Sequence, residues 1–179
     1  MARTRIDLTR LTVEALGLVD RQGLDGLPLS AVAGALDVGP SALYTHVDGL
    51  DGLRSLVAIA ATENLATEVR TAAIGASGDE ALRAMGTAYR SFATDHPGQF
   101  ASTLLPPVAD HPRLLAADRS ITDVFVLVFG AMGLTADASH LAARSTRSAI
   151  HGFLALEHTT GTSPTHDAEY HHLLETLQR

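Results

Sequence analysis

Residues 30–56 read Ser-Ala-Val-Ala-Gly-Ala-Leu-Asp-Val-Gly-Pro-Ser-Ala-Leu-Tyr-Thr-His-Val-Asp-Gly-Leu-Asp-Gly-Leu-Arg-Ser-Leu, which predicts two short helices joined by a tight turn. Apolar residues recur at helical spacing on both sides of the turn, with Ala33 and Leu36 before it and Leu43 and Val47 after it. The pattern is typical of a helix-turn-helix. This is the smallest arrangement that lays a helix in the major groove of DNA.

The second helix of the pair is predicted to begin at Pro40. Gly39 is a permissive N-cap, and proline suits the first helical position because its missing N–H needs no partner there. Tyr44 and His46 then lie on the exposed edge of the helix, where a hydroxyl and an imidazole can reach phosphates. Because such side chains add little to a core, they favour DNA binding over a plain helical hairpin inside an all-α protein.

Residues from about 8 to 56 resemble the DNA-binding domain of TetR-type (tetracycline-repressor-like) transcriptional regulators. The resemblance runs through Leu11–Leu24 and Leu29–Val38, and Leu43-Tyr44-Thr45-His46-Val47 is specific for the family. It implies groove-facing positions at Pro40, Ser41, Ala42 and Thr45 and phosphate-contacting positions at Tyr44 and His46. With the N-terminal arm, the predicted DNA-binding residues are Ser30, Pro40, Ser41, Ala42, Tyr44, Thr45, His46, Arg3 and Arg5.

Three positions depart from the family pattern. Asp37 stands in the turn where the family usually has glycine, and Pro28 stands where a serine or threonine caps the helix. Aspartate tolerates the left-handed conformation better than most residues, so the turn is expected to form. Leu50 stands at or near the position of a lysine that lies close to phosphate in the family.

Charge is unusual for a DNA-binding chain. The sequence has a net charge of −7, and residues 1–55 contain five arginines against seven acids, a net charge of −2. A basic domain is the usual electrostatic footprint of DNA binding. Three of the arginines lie near the N-terminal end, at Arg3, Arg5 and Arg10. They can form an arm that reaches DNA, or they can belong to a solvated terminus. We expect few phosphate contacts and a shallow dependence of binding on salt.

Composition excludes several classes of protein. Among 179 residues there is no cysteine, so disulfides and thiolate metal sites are excluded, and 46% hydrophobic content rich in Ala and Leu favours helices. The longest apolar stretch, residues 124–134, is too short to cross a bilayer, and no apolar signal core opens the chain. We therefore expect a cytoplasmic protein without a membrane partner.

The positions at which helices are predicted to begin and end give an all-α fold of about nine helices. A three-helix helix-turn-helix domain is expected over residues 1–55 and a helical effector and dimerisation domain over 56–179, linked by a helix over 50–71. The Gly-containing stretch 71–78 is the predicted seam. The other helices are expected at about 8–22, 29–36, 40–46, 77–95, 99–105, 112–133, 136–159 and 166–178.

The second domain resembles, more weakly, the helical effector domains of the same family. Residues 149–157 are similar to a His-Gly-Phe/Leu-Glu signature of one C-terminal subgroup. The resemblance implies a pocket for a small, mostly apolar effector, whereas ordinary core packing is the alternative for each aromatic residue. The predicted ligand-binding residues are Tyr89, Phe92, Phe100, Leu104, Phe125, Phe129, Met132, His151 and Phe153.

The last two helices carry faces that suit a partner helix. Small residues line one face of the helix over 136–159, and an apolar stripe runs along the terminal helix. The family implies a four-helix homodimer interface, and packing within one chain is the alternative. The predicted interface residues are Leu141, Ser145, Ala149, Gly152, Leu156, Tyr170, Leu173, Leu174 and Leu177.

Catalysis and metal binding find little support in the sequence. His171 shares a helix face with Asp167 and Glu175, but a solvated face explains this better than a metal site, and no cofactor is expected. No Gly-x-Ser-x-Gly, Walker, dinucleotide-binding or His-Glu-x-x-His motif is present, so we do not expect an enzyme.

The sequence therefore predicts a ligand-responsive transcriptional regulator. It is expected to act as a dimeric repressor that a small apolar effector releases from a near-palindromic operator. The alternatives are a related helical sensor with weak or lost DNA binding and, last, a helical enzyme.

Overall fold

A computed structural model describes residues 7–104, 111–161 and 164–177. These residues contain no β-strand, which confirms the predicted all-α class. The α-helices are α1 (Leu8–Gln22), α2 (Leu29–Ala35), α3 (Gly49–Ala72), α4 (Gly78–Asp95), α5 (Pro97–Thr103), α6 (Pro112–Ala131), α7 (Ala136–Thr160) and α8 (Pro164–Thr176), with 3₁₀ helices at Leu24–Gly26 and Pro40–Thr45. No helix in the described ranges is long and apolar enough to cross a membrane.

Local sequence signals set the bounds of α1. The Asp7 carboxylate accepts a hydrogen bond from the Arg10 backbone N–H at 2.7 Å and so caps the first turn. Its negative charge also interacts favourably with the positive N-terminal end of the helix dipole. Gly23 ends the helix at a φ of +72°, a conformation that favours glycine. The predicted bounds of 8–22 are therefore confirmed.

The described residues form two compact units. Unit 1 contains the residues up to Thr62 and those of the segment His96–Leu114, and unit 2 contains Glu63–Asp95 and the residues from Leu115 onward. α3 continues through the boundary as one helix of 24 residues. The core of unit 1 is formed by α1, α2, the 3₁₀ helix at Pro40–Thr45 and the first half of α3, through Leu11, Ala15, Leu18, Val19, Leu27, Val32, Ala33, Leu36, Leu43, Val47, Leu53 and Val57.

α5 belongs to unit 1 because it docks on the C-terminal half of α1. Gly98 lies so close to the α1 backbone that a Cβ atom there would stand 1.9 Å from the Val19 carbonyl oxygen. The Asp20 carboxylate accepts hydrogen bonds from the Gln99 backbone N–H at 2.9 Å and from Gln99 Nε2 at 2.6 Å, and His96 Nδ1 lies 3.0 Å from it. The predicted domain boundaries had assigned this helix to the second domain.

The core of unit 2 is built by the second half of α3 together with α4, α6, α7 and α8. Tyr170 of α8 is buried and donates its hydroxyl to the Gly86 carbonyl oxygen of α4 at 2.6 Å. Leu174 of α8 also packs on Gly86, where an added Cβ atom would stand 2.5 Å from its Cδ2. The Arg90 guanidinium lies over the Tyr170 ring at 5.0 Å and pairs with the Glu157 carboxylate at 2.6 Å.

A polar network in unit 2 runs from the buried Tyr89 to the exposed Asp118. The Tyr89 hydroxyl lies 2.8 Å from His151 Nδ1, and burial raises the pKa of Tyr89 to about 12. Burial, and after it the nearby Arg147 guanidinium, lowers the pKa of His151 below its ordinary value of 6.5. At neutral pH the Tyr89 hydroxyl therefore keeps its proton and faces a neutral His151. Arg147 in turn donates to the Asp118 carboxylate and, at 2.9 Å, to Thr122 Oγ1.

We expect Gly98→Ala to destabilise the protein by about 2 kcal/mol or more, because the new methyl group must push the α1 backbone away. Denaturation by urea measures the effect. Gly34→Ala is the matched control, since its Cβ atom meets nothing within 4 Å and a helical alanine gains roughly 0.5–1 kcal/mol over glycine. Equal stability of the two variants would show that α5 does not dock as described.

We expect the free energy of unfolding to fall at acidic pH because of the protonation of His151. Below pH 6.5 the unfolded chain binds a proton that folded His151 resists, so the free energy of unfolding falls as pH drops through that value toward the lowered folded pKa. The variant His151→Gln keeps an acceptor for Tyr89 but cannot titrate. Denaturation curves between about pH 7.5 and about pH 5 should show a steeper loss of stability for the wild type than for the variant. Parallel losses would contradict this role of His151.

Candidate nucleic-acid interface and effector domain

The 3₁₀ helix at Pro40–Thr45, called the recognition helix below, buries Leu43 in the core of unit 1 and exposes the neighbouring Tyr44 to solvent. Leu43 is fully buried in the core of unit 1. Tyr44, the following residue, is 61% exposed, and Ser41 and Thr45 are also exposed. A six-residue helix is too short to be stable alone, so Leu43 fixes its position while the polar side chains remain accessible.

The turn before the recognition helix forms as predicted. Asp37 has a φ of +56°, the left-handed conformation that aspartate tolerates. Its backbone N–H donates to the Gly34 carbonyl oxygen at 3.2 Å, and the Val38 N–H donates to the Ala33 carbonyl oxygen at 3.0 Å. Val38 packs against the core, and Ala33 is buried where α2 meets the recognition helix. The observed N-cap, Gly39, and the proline at the first position also match the sequence prediction.

The predicted DNA-binding residues differ in how much surface they offer. Five of those in the described residues are exposed: Ser30, Pro40, Ser41, Tyr44 and Thr45. Ala42 and His46 are half-buried, and Ala42 packs against the unit 1 core. The Thr45 hydroxyl donates to the Ala42 carbonyl oxygen at 2.8 Å, which leaves its lone pairs for an outside donor. Arg3 and Arg5 lie outside the described residues.

Several acids of unit 1 are engaged inside the unit. Asp7 caps α1, Asp20 holds α5, and Asp51 lies in the first turn of α3, where the helix dipole favours a negative charge. These three acids therefore lie at helix ends or hold the α1–α5 contact. Leu50, which the resemblance places at or near a lysine position, is exposed.

The predicted dimer residues fall into two groups. Leu141 and Leu156 of α7 are 71% and 68% exposed, Ser145 and Gly152 between them are exposed, and Ala149 is half-buried. α8 behaves differently, because Tyr170 and Leu174 are buried against α4 of the same chain and Leu173 and Leu177 are half-buried. Tyr170 and Leu174 are therefore core residues, and the free apolar face is that of α7.

Of the predicted ligand-binding residues, Phe153 lines one of the two cavities described below, and the larger of the two is lined by none of them. Phe100 is buried in unit 1, and Leu104 follows it at the end of α5. In unit 2, Tyr89, Phe92, Phe125 and Phe129 are buried in the core, Met132 is exposed, and Phe153 packs on Tyr170 with ring centroids 5.2 Å apart. His151 is hydrogen-bonded to Tyr89, which is the core alternative raised for it by the sequence.

Two open cavities lie elsewhere in unit 2. The larger, of about 460 Å³, lies between the C-terminal end of α3, the α3–α4 connection and α6; it is lined by Arg70, Ala73, Ile74, Ala76, Ser77, Gly78, Ser120, Asp123, Val124, Leu127, Val128 and Ala131. None of these residues was among the predicted ligand-binding residues. The smaller cavity, of about 290 Å³, is lined by Phe153, Leu156, Glu157, Thr160, His166 and Glu169.

Histidine and acidic side chains do not assemble a metal site in the part of the chain described here. No group of three or more is arranged to hold an ion. Asp167, which the sequence placed on one face with His171, pairs instead with Arg90 at 2.8 Å.

Comparison with known proteins assigns the chain. Residues 82–177 match the family model described as a tetracycline repressor-like C-terminal domain. An uncharacterized HTH-type transcriptional regulator of Mycobacterium tuberculosis is 36% identical over 146 residues, which cover 81% of this chain and 67% of the relative. Another from Bacillus subtilis is 29% identical over 154 residues, covering 85% and 80%.

Solved structures agree on the fold. A TetR transcriptional regulator from Streptomyces coelicolor superposes with a TM-score of 0.69 at 20% identity, covering 97% of this chain and 88% of that one. A regulatory protein of the TetR family from Rhodococcus RHA1 gives 0.69 at 18% identity, covering 96% and 95%. The exposed recognition helix, the matched C-terminal domain and these relatives lead to one conclusion: the chain belongs to the TetR family of DNA-binding transcriptional regulators, which are not enzymes.

Proposed function

We propose that this regulator is a homodimer that reads a near-palindromic operator with its two recognition helices and leaves it when an effector binds unit 2. The observation that carries the proposal is the pairing of buried Leu43 with exposed Tyr44. The core fixes the helix, and the helix presents hydroxyl groups to solvent. A side chain exposed to this degree beside a fully buried neighbour has no packing role of its own.

Contacts on DNA follow from this placement. Ser41 and Thr45 are exposed on the recognition helix and are assigned to the major groove. The Ser41 hydroxyl can donate to or accept from base edges, whereas the Thr45 hydroxyl, which donates to the Ala42 carbonyl oxygen, can accept. Tyr44 and His46 are assigned to phosphates on either side of the groove. Ser30 lies in the first turn of α2 and is assigned to the backbone as well. Ala42 contributes less, since much of its surface faces the core.

Dimerisation is assigned to α7. Its exposed face carries Leu141 and Leu156 at the ends and the small residues Ser145 and Gly152 between them. Small residues let two helices approach closely, and the two leucines would leave water when a second copy covers them. A two-fold dimer places two copies of the recognition helix on related half-sites about one helical turn apart.

Effector control is assigned to α3. The helix carries Leu53 and Val57 in the core of unit 1 and Leu65 and Val69 among the buried residues of unit 2. An effector that binds one arrangement of α3 more tightly shifts the dimer toward it. When that arrangement does not fit the operator, DNA affinity falls by the same coupling free energy, and the output is relief of repression.

Replacing Tyr44 by alanine tests the DNA-binding assignment. We expect the affinity for DNA fragments that the wild type selects from a random pool to fall roughly ten- to hundredfold, because a hydrogen bond to a charged phosphate is lost. Val13→Ala is the control, since Val13 is equally exposed at 61% but lies on α1. Mobility-shift titration at low salt measures both variants.

A related helical sensor without DNA binding is the second candidate, and the acidic balance of residues 1–55 favours it. The same titration separates the two. Absence of any sequence-preferring complex at low salt would support the sensor and defeat the operator proposal. Equal affinity of the Tyr44→Ala and Val13→Ala variants would remove the recognition helix from the contact.

A further inference from the structure

The larger cavity of unit 2, called the α3–α6 groove below, has the size and lining of a small-molecule site. Its volume of about 460 Å³ lies within the range of sites that hold drug-sized ligands. Ala73 of the α3–α4 connection and Val124, Val128 and Ala131 of α6 provide apolar walls. The groove is separate from the aromatic residues that the sequence had suggested as a pocket.

Two highly exposed apolar side chains border the groove. Ile74 is 77% exposed and Leu127 is 73% exposed, more than any other large apolar side chain in the described part of the chain. Single exposed apolar residues are common, but two on the rim of one apolar cavity form a patch that marks a binding surface. A ligand that covers both removes apolar surface from water, which favours binding.

The polar border of the groove selects the head of the ligand. Arg70 and Asp123 both line it, and in the described residues neither side chain makes a hydrogen bond or an ion pair. A head with a single charge would be attracted by one of them and repelled by the other. A neutral head that both accepts and donates hydrogen bonds satisfies Arg70, which only donates, and Asp123, which only accepts.

We propose that the α3–α6 groove binds a neutral amphipathic molecule, with an apolar chain against Leu127 and Ile74 and a donor–acceptor head, such as a carboxamide, between Arg70 and Asp123. Its role as the effector site rests on the proposed function. The groove touches α3 at Arg70, on the same helix that carries Leu53 in the core of unit 1. Binding in the groove therefore acts directly on the helix that both units share.

Calorimetric titration of the full chain with three probes of equal length tests the chemistry. Decanamide should bind more tightly than decanoate or decylammonium. Leu127→Gln should weaken decanamide about tenfold, because its apolar contact is lost while the exposed position tolerates the change. Val13→Gln, an exposed apolar position in unit 1, should leave the affinity unchanged.

Changing the border should change the preferred head. Asp123→Asn removes the repulsion of anions and should raise the affinity for decanoate about tenfold. Arg70→Gln removes the repulsion of cations and should raise the affinity for decylammonium by a similar factor. Absence of decanamide binding, or equal binding to Leu127→Gln, would overturn the site. A lower oligomeric state of Leu127→Gln in sedimentation would also overturn it, because a second copy of the chain would then cover the groove.

Measurement of operator affinity distinguishes a failure of this ligand site from a failure of the proposed function. Decanamide that binds the groove but leaves operator affinity unchanged supports the ligand site and defeats its effector role. Operator binding that depends on Tyr44, together with no decanamide binding, leaves the regulator intact and overturns the groove.

Discussion

The burial of Leu43 is the contact on which the functional surface depends. A 3₁₀ helix of six residues has too few hydrogen bonds to hold a fixed orientation, so its position comes from the core of unit 1. Leu43 packs there beside residues of α1, α2 and α3, and Asp37 in its left-handed conformation turns the chain into the helix. Everything that Tyr44 and Ser41 can contact follows from that single anchor.

DNA binding by this chain relies less on positive charge, and more on the placement of its helices, than is usual for a DNA-binding domain. The chain has no lysine, and its N-terminal region carries more acids than arginines, so long-range attraction to DNA is weak. Two of these acids have structural roles, because Asp7 caps α1 and Asp20 holds α5. In the proposed homodimer, a regulator with little electrostatic attraction to DNA must gain affinity from two recognition helices that bind at once, so the second copy contributes more than it would for a strongly basic domain.

Local signals explain what the sequence could predict, and long-range contacts explain what it could not. The bounds of α1 follow from Asp7 and Gly23, and the turn follows from neighbouring residues at helical spacing. The docking of Gly98 on Val19 joins residues far apart in the chain, so no local pattern placed α5 in unit 1. Tyr170 lay on a face that suited a partner chain, but Gly86 of α4 provides the space it fills. The α3–α6 groove is lined by residues around positions 70–78 and 120–131, which are far apart in the chain, so no local pattern predicted it.

The double variant Leu141→Glu, Leu156→Glu tests most directly whether operator binding depends on dimer geometry. Both side chains are largely exposed in the single chain, so the fold should tolerate them, while buried acids would separate two copies. Sedimentation should show a folded monomer, and titration of the selected DNA fragments should show affinity reduced by about a hundredfold or more, with the recognition helix unchanged. A monomer that binds those fragments as tightly as the wild type would contradict the account.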